Sequence, residues 1–490
     1  MKNFNNISEV LKFWGTKKPN KIFIIDEKKK YSFSEINHFV NSCCFFFKSL
    51  GLKERDIVSF NLKNSIEFVI IYLACIRANI IANPLPHTIS ETETLEKVKF
   101  LKSKYLFSDR KIKKKKNFFL VEKKDKTNFI DIILKSNLNK NNYFTKINNK
   151  NTAVLYYSSG TTNNPKIIEY SYRSMINLQM AMSKIKFTGP NTTHLCILPM
   201  GHTSVLRYSI KQSLFMGSTF VILNNFWEIK NKFWNIIDKY NINYVQLVPS
   251  IVTSLITIKT KNFKKRKIKF GCGSDKIDFK VKKFFEKKFK TKLLNLYGLS
   301  EIGASHFQNK DDDKENSIGT PLDIYKCKIF KKKNKIAQKN KIGELGVKGT
   351  ALFNGYYKNK ILTKQSFNKF GYFLTGDLCS KNENNNFFFH GRKKDLIIKG
   401  GVNINPNEID EVVKEYSPVI ERSATIGIDD EFLGQKIKTF LKLKNKKISI
   451  NSLHKYLTKK LGQLKKPDEV VIIKKFPTTS TGKVIKRFLK

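Results

Sequence analysis

The segment Tyr157-Ser158-Ser159-Gly160-Thr161-Thr162-Asn163-Asn164-Pro165-Lys166 gathers hydroxyls, a glycine and a cation into one short loop, directly after the apolar run Ala153-Val154-Leu155-Tyr156. A loop leaving a strand with small hydroxyl side chains, exposed backbone N–H groups and one lysine is suited to hold phosphate. It is not a Walker loop, which places Gly directly before the Lys, because Pro165 stands there. Farther along, Asn295-Leu296-Tyr297-Gly298-Leu299-Ser300-Glu301 reads as a strand running into a tight turn with a hydroxyl and a carboxylate at its exit. A Glu beside a phosphate loop can hold Mg²⁺, which prefers oxygen ligands and bridges phosphates. In Tyr372-Phe373-Leu374-Thr375-Gly376-Asp377 an Asp closes a strand-like run, where it could accept hydrogen bonds from both hydroxyls of a ribose. A basic turn, Gly391-Arg392-Lys393-Lys394-Asp395, leads into Leu396–Gly401, followed by Asn403 and Pro406-Asn407-Glu408-Ile409. Pro477-Thr478-Thr479-Ser480-Thr481-Gly482-Lys483 presents a lysine on a Thr-Gly loop, a point charge able to reach outward. Each segment alone has a plain structural reading too: a polar surface loop, a strand-end turn with a solvated Glu, an Asx turn, a solvated basic turn and an exposed lysine.

Positioning such dispersed groups needs a large scaffold, and 490 residues are enough for two or more domains. Helical spacing runs from Phe33 to Leu50 and an apolar helix from Ile66 to Ala78, with a short strand over Asp56 to Leu62 between them. Residues 111–150 are Lys/Asn-rich with little periodicity and read as a surface excursion. Short apolar strands follow at 193–199, 219–223, 244–248 and 292–297. Between them a helix over 227–240 carries Ile229, Phe233, Ile236, Ile237 and Tyr240 on one face, and another over 276–290 carries Ile277, Val281, Phe284 and Phe285. This alternation predicts an α/β fold with parallel-rich sheets flanked by helices. Ligands of such folds bind in loops at the carboxyl ends of strands, where the Ser158–Lys166 loop falls. From Lys394 onward, a helix opened by Asn405-Pro406, with Ile409, Val412, Val413 and Tyr416 on one face, belongs to a small mixed α/β unit. The expected division is 1–393 and 394–490.

Composition narrows the partners. A formal net charge of +53 normally points to nucleic acid or an anionic membrane. Here the excess is spread along the whole chain, with runs such as Lys113–Lys116 and Lys331–Lys333, alongside abundant Asn, Ile and Phe, residues with A/T-rich codons. Codon bias accounts for such a surface without a selected partner, and no aromatic-basic motif or zinc spacing accompanies it, so no specific nucleic-acid partner is expected. The seven cysteines form no C-x-x-C pair, which suits a reduced, intracellular protein. The N-terminus lacks an apolar signal region, and the longest apolar run, Phe68 to Ile76, is far short of the ~20 residues that span a bilayer. A soluble, cytoplasmic protein is the expectation.

The chemistry-bearing segments occur in the order and approximate spacing of the adenylate-forming (AMP-binding) enzymes, and from Ser34 to Lys486 the chain resembles their acyl-CoA synthetase branch. The resemblance implies a large N-terminal domain and a small, mobile α+β C-terminal domain. It implies ATP, Mg²⁺ and coenzyme A as reactants, and a small-molecule carboxylic acid activated as an acyl-adenylate with release of pyrophosphate. By resemblance, Ser158, Ser159, Gly160, Thr161, Thr162 and Lys166 wrap the ATP phosphates, and Glu301, with Ser158, holds the metal. Ser300 and Glu301 match a hydroxyl-Glu pair near the α-phosphate; Tyr297 and Gly273-Ser274-Asp275 match the nucleotide side, and Asp377 with Arg392 the ribose pair. Lys394 matches the hinge, Gly400-Gly401 the coenzyme A side, and Lys483 the lysine bridging carboxylate and α-phosphate. His202 matches a residue at the mouth of the acyl pocket, with Val205, Arg207, Phe270-Gly271-Cys272 and Gly298–Ala304 as further pocket positions.

Some positions depart from the family pattern. Asn163 replaces a usual Gly, Ile167 stands where Gly often follows the Lys, and Glu169 brings an anion near the phosphate loop. Gly271, Gly273 and Gly303 leave room in the pocket, an expectation that favours an aliphatic or aryl acid over an amino acid. The acceptor is coenzyme A or, alternatively, the phosphopantetheine of an acyl carrier protein. A noncatalytic polyanion-binding protein is the reading from another class; it predicts salt-sensitive RNA binding without adenylate formation. Retention of Glu301 and Lys483 opposes it. Oligomeric state is not legible.

Overall fold

The computed structural model describes residues 4–27, 29–112, 117–121, 128–138, 140–157, 166–185, 187–258, 267–308, 313–444, 447–479 and 482–489. The phosphate-loop residues Ser158, Ser159, Gly160, Thr161, Thr162, Asn163, Asn164 and Pro165, together with Ser480 and Thr481, lie outside them.

Local sequence starts and stops the early helices. Ser32 and Glu35 form a reciprocal capping box at the helix Phe33–Ser49, and Ser65 caps Ile66–Arg77 by accepting from the Phe68 N–H. The second helix is apolar on nearly every face and lies wholly inside the large unit. Its last residue, Arg77, is buried yet satisfied by neutral oxygens. Nε donates to Ser8 Oγ at 2.7 Å, Nη1 to Asn41 Oδ1 at 2.6 Å and Nη2 to Asn37 Oδ1 at 2.8 Å. Arg77→Leu strands these acceptors and is expected to lower stability by about 3 kcal/mol in urea denaturation. An unchanged midpoint would contradict this account.

One fourteen-stranded sheet carries most of the site. The strands Ile22–Asp26, Thr219–Ile222, Thr193–Cys196, Tyr244–Leu247, Lys269–Cys272 and Leu293–Leu299 are neighbours in that order and pair in parallel. At Leu293–Leu299 the sheet changes character. The chain turns back tightly at Ser300–Ile302 and pairs antiparallel with Gly303–Phe307, and the following strands Ser317–Pro321, Phe387–Arg392, Phe373–Lys381 and Gly343–Gly349 continue antiparallel. The expected parallel-rich architecture therefore holds for half of this sheet. A short turn without a crossover helix permits only the antiparallel return. A seven-stranded sheet includes Thr152–Tyr157, which leads into the phosphate loop, paired antiparallel with Ile167–Ser171, which leaves it.

Two expectations need correction. The helix over 227–240 is three pieces: Phe226–Ile229 capped by Asn225, a 3₁₀ turn at Lys230–Lys232, and Phe233–Lys239. The solvated Lys-Asn-Lys triplet breaks the rod, while Phe233 and Ile237 are still buried. Nor is 111–150 wholly a surface excursion. Phe118–Leu120 adds an edge strand, and Phe129–Lys135 is a capped helix whose Phe129 packs on Phe46, Phe107 and Phe119.

The last hundred or so residues have their own core, including Ile397, Ile404, Ile409, Ile437, Leu441 and Leu453. It packs the helices Pro406–Tyr416 and Ile450–Lys465 onto a five-stranded sheet. Among the described residues, no helix is long and apolar enough to cross a membrane.

Candidate active site

Strand register brings Asp377 and Arg392 together. They are direct partners across the antiparallel strands Phe373–Lys381 and Phe387–Arg392. Asp377 is buried, Tyr297 donates its hydroxyl to Oδ2 at 2.6 Å, and Arg392 Nε stands 3.0 Å from Oδ1. The Arg392 contact misses hydrogen-bond geometry, so Oδ1 keeps acceptor capacity for a ligand hydroxyl beside the guanidinium. Burial raises the Asp377 carboxyl above its ordinary value, opposed by the charge of Arg392, the Tyr297 hydroxyl and the charge of Lys483.

Glu301 sits in the tight turn where the parallel strands end. Tyr356 donates its hydroxyl to Glu301 Oε1 at 3.1 Å, and the Lys166 ammonium lies 5.0 Å from the Tyr356 ring centroid. Burial raises the Glu301 carboxyl, with Tyr356, Lys166 and Arg392 among the groups opposing it. The neighbouring Ser300 hydroxyl is 3.3 Å from that of Thr203. Tyr356 carries no motif signal in the sequence. It reaches the site because Gly355–Tyr356 pairs with Ile167–Ser171, the strand that follows Lys166.

Lys483 arrives from the small unit. Its loop is closed by Thr479 N–H donating to Lys483 O at 2.8 Å and Gly482 N–H to Thr479 O at 2.8 Å. Gly482 presses against the large unit so closely that a Cβ there would stand 2.5 Å from Ser250 Oγ, in the helix Pro249–Thr257. Arg422 donates to Gly482 O at 3.0 Å. Around this contact, Lys276 pairs with Glu411, and Asn405 Nδ2 donates to His390 O at 2.7 Å. Lys394 lies in the 3₁₀ turn Lys393–Asp395 between the two units; desolvation lowers its pKa, assisted by the charges of Arg392, Lys483 and Lys166 and opposed by Asp395. Gly400 and Gly401 form the turn between Ile397–Lys399 and Val402–Ile404, with open space where side chains would be.

The glycines do not leave the room expected of them. A Cβ at Gly271 would meet Leu296 Cδ1 at 2.6 Å, one at Gly273 the Leu296 carbonyl at 2.6 Å, and one at Gly303 Leu178 Cδ2 at 2.6 Å. Each admits a neighbour already in place. At Gly298 the clash is with the Gly303 carbonyl at 2.0 Å, across the turn that holds Ser300 and Glu301. Gly298→Ala is expected to cost about 1–3 kcal/mol by overpacking and to shift that turn; chemical denaturation with unaltered stability would refute this. Ser274 takes a left-handed φ of 73° in the turn after Lys269–Cys272, and Asp275 adds its charge to the surroundings of Arg392. Val205 is buried in the core, while Thr203 and Arg207 on the same helical segment face a cavity. His202 lies at the start of that segment, its imidazole held neutral by burial with a pKa of about 4. Glu169, a possible intruder on the phosphate loop, instead accepts from Thr152 Oγ1 at 2.6 Å.

Comparison with known proteins decides the family. The AMP-binding enzyme model matches residues 11–357, and the AMP-binding enzyme C-terminal domain model matches 408–483. This chain is an AMP-binding enzyme. A sulfoacetate–CoA ligase of Cupriavidus necator is 28% identical over 68% of this chain, which spans 65% of that protein's length, just under two thirds. A medium-chain fatty-acid–CoA ligase of Escherichia coli is 23% identical over 96% of this chain and 88% of its own. Among solved structures, o-succinylbenzoate coenzyme A synthetase of Bacillus subtilis, in complex with ATP and magnesium ion, superposes with a TM-score of 0.85 at 22% identity, covering 98% of both chains. This AMP-binding enzyme thus shares its fold with a synthetase that holds ATP and magnesium.

Proposed function

We propose that this protein is an ATP-dependent acid–CoA ligase that activates a small carboxylic acid as its acyl-adenylate, releases pyrophosphate, and transfers the acyl group to the thiol of coenzyme A. The observation that carries this reading is the Lys483 loop, which leaves one folding unit and brings its charge to the Asp377–Arg392 pair of the other. The residues fit the nucleotide. The unbonded Asp377 Oδ1 suits a ribose hydroxyl, and Arg392 and Tyr297 hold that carboxylate in place. Glu301 suits Mg²⁺, which takes one or two carboxylates together with substrate phosphates. When bound, the ion would offset phosphate charge, with Glu301 and Ser158 as its ligands.

Attack of a carboxylate on the α-phosphate brings two anions together, so the barrier is partly Coulombic. Lys483 neutralises charge that concentrates between them in the transition state, and Ser300 lies on the α-phosphate side. In this proposal Ser158, Ser159, Gly160, Thr161, Thr162 and Lys166 hold the leaving pyrophosphate, and Gly273-Ser274-Asp275 flanks the adenine. The acyl-adenylate is a mixed anhydride, open to attack by a thiol. We further propose a division at residues 393 and 394: the small domain turns about Lys394, withdraws Lys483, and brings Gly400-Gly401 to the acceptor side. The open surroundings of those glycines support a role that begins only after the turn.

Acid-dependent exchange of pyrophosphate into ATP, surveyed over a pool of carboxylic acids, tests the adenylation step. Coenzyme A and a holo acyl carrier protein, supplied separately, test the acceptor; the basic surface would suit an acidic carrier. A folded protein silent with every acid ends the ligase proposal, and thioester formed only on the carrier protein ends the coenzyme A assignment.

A further inference from the structure

Two cations lie inside the large unit with no acidic partner among the described residues. Arg207 is 5% exposed and Lys211 is 4% exposed. Both belong to the helical segment that starts at Thr203, winds as a π-helix over Leu206–Lys211, and continues to Met216. A spacing of four residues puts Thr203, Arg207 and Lys211 along one side of it, and π-helical turns are frequent at functional sites. The three line one cavity with Tyr156, Tyr170 and Leu178. The buried Tyr156 hydroxyl interacts with that of Tyr72, and the buried Tyr170 hydroxyl with the Gly303 N–H, both outside ordinary hydrogen-bond geometry. Among the described residues Arg207 meets tyrosines and no carboxylate: its guanidinium lies 5.9 Å from the Tyr208 ring centroid and interacts with that hydroxyl, and its charge also acts on Tyr156, Tyr170 and Tyr325. A guanidinium and an ammonium, with no acidic partner among the described residues, therefore converge on one cavity of about 10 Å³, room for about one water.

Such an arrangement is unfavourable as it stands. A buried ion without a counter-ion costs several kcal/mol, and two like charges add repulsion. Burial, with Arg207 nearby, lowers the Lys211 ammonium to a pKa of about 7. An anionic group that displaces side-chain ends to enter this cavity would relieve both cations at once. The cavity also adjoins the reaction centre. The Thr203 hydroxyl is 3.3 Å from that of Ser300, Tyr156 lies on the strand that leads toward the phosphate loop, and Tyr170 on the strand that follows it. Glu301, the nearby carboxylate, is engaged by Tyr356. One helical turn, about 6 Å of rise, separates Thr203 from Arg207, a distance that a spacer of a few carbons covers.

We propose that Arg207 and Lys211, beside Tyr156 and Tyr170, form a subsite for a second anionic group on the substrate, so that the acid activated is a short dicarboxylate or an acid with an equivalent terminal anion. This specificity rests on the ligase reading above and replaces the aliphatic or aryl acid expected from the glycines. A fatty tail has no place against two buried cations, since it would leave both unpaired.

The test uses the full chain in two assays. The first compares pyrophosphate exchange for malonate, succinate and adipate with propionate, butyrate and hexanoate, the monoacids of equal length. We expect at least one diacid to exceed its monoacid by about 10²-fold in kcat/KM, the scale of a buried charge-assisted contact. In Arg207→Met and Lys211→Met this preference should fall by at least tenfold, through the KM for the diacid, without a rise in the KM for ATP. Lys211→Arg should retain it. The second assay follows the shift in Tm caused by the same acids without ATP, a binding readout that does not need turnover; the best diacid should stabilise the wild type and not Lys211→Met. Equal or better use of monoacids by the wild type overturns the subsite, and so does an unchanged acid preference with a raised KM for ATP, which would assign the cations to phosphate. If no acid turns over but the diacid-specific stabilisation appears and is lost in Lys211→Met, the ligase reading fails and the anion subsite stands. Absence of both signals overturns both. Should the Met variants not fold, the wild-type acid preference and stabilisation decide the matter.

Discussion

Lys483→Ala is expected to slow acid-dependent pyrophosphate exchange by about 10²–10³, equivalent to roughly 3–4 kcal/mol of transition-state stabilisation. The lysine stands on a loop clasped by Thr479 and seated against Ser250, and its charge acts on the Asp377 carboxyl. Preorganised charge of this kind acts where anionic charge accumulates and needs little rearrangement at the moment of reaction. The loss should appear in kcat more than in the KM for the acid, because the demand for the cation peaks in the transition state. Transfer from a presynthesised acyl-adenylate to coenzyme A should survive, since the proposed mechanism withdraws Lys483 before that step. Equal losses in both half-reactions would remove Lys483 from its assigned role and leave it a structural contact of the small unit.

Asp377→Asn should lower kcat/KM for ATP by about 10²-fold and leave the KM for the acid nearly unchanged. The substitution keeps the shape but removes the charge that Arg392 faces and halves the capacity to accept hydrogen bonds. Tyr297 can still donate to the remaining carbonyl oxygen, so the fold is retained and the deficit falls on the nucleotide. A matching pH dependence is expected in the wild type. Burial raises the Asp377 carboxyl, so the charged form proposed to accept a ribose hydroxyl is lost, as pH falls, at a higher pH than for an ordinary carboxylate. The acid limb of kcat/KM for ATP should therefore shift or vanish in Asp377→Asn. A variant that binds ATP normally and shows the wild-type acid limb would rule out the ribose assignment.

Much of the scaffold was legible because its signals are local. Helical spacing over Phe33–Leu50 and Ile66–Ala78 marked two helices, which the structure forms over Phe33–Ser49 and Ile66–Arg77 with caps at Ser32 and Ser65. Strand candidates near Thr193, Thr219, Tyr244 and Leu293 were legible as short apolar runs, and helices link them much as alternation predicts. The helix at 227–240 misled because its apolar face is continuous while its backbone is not: Lys230–Lys232 tightens into a different turn without displacing Phe233 or Ile237 from the core. The antiparallel half of the large sheet was hidden for a related reason. A tight return at Ser300–Ile302 and a crossover leave similar apolar runs in the sequence and differ only in pairing.

The sequence by itself determined the family and the nucleotide chemistry. The proposed phosphate loop, the Glu301 carboxylate and the lysine on a Thr-Gly turn are contiguous motifs whose residue types suit the charges an adenylation reaction must meet. What only the tertiary structure decided was which groups have partners. Strand register sets Asp377 opposite Arg392 yet leaves Oδ1 unbonded, and Thr152 removes Glu169 from contention. Leu296, Leu178 and a carbonyl occupy the space the glycines seemed to leave open. Arg207, one of several pocket positions in the sequence, and Lys211, one lysine among many, stand out only once packing buries them together without an acidic partner among the described residues. Burial and pairing arise from segments far apart in the chain, and the energy of a charge depends on those neighbours more than on its own identity.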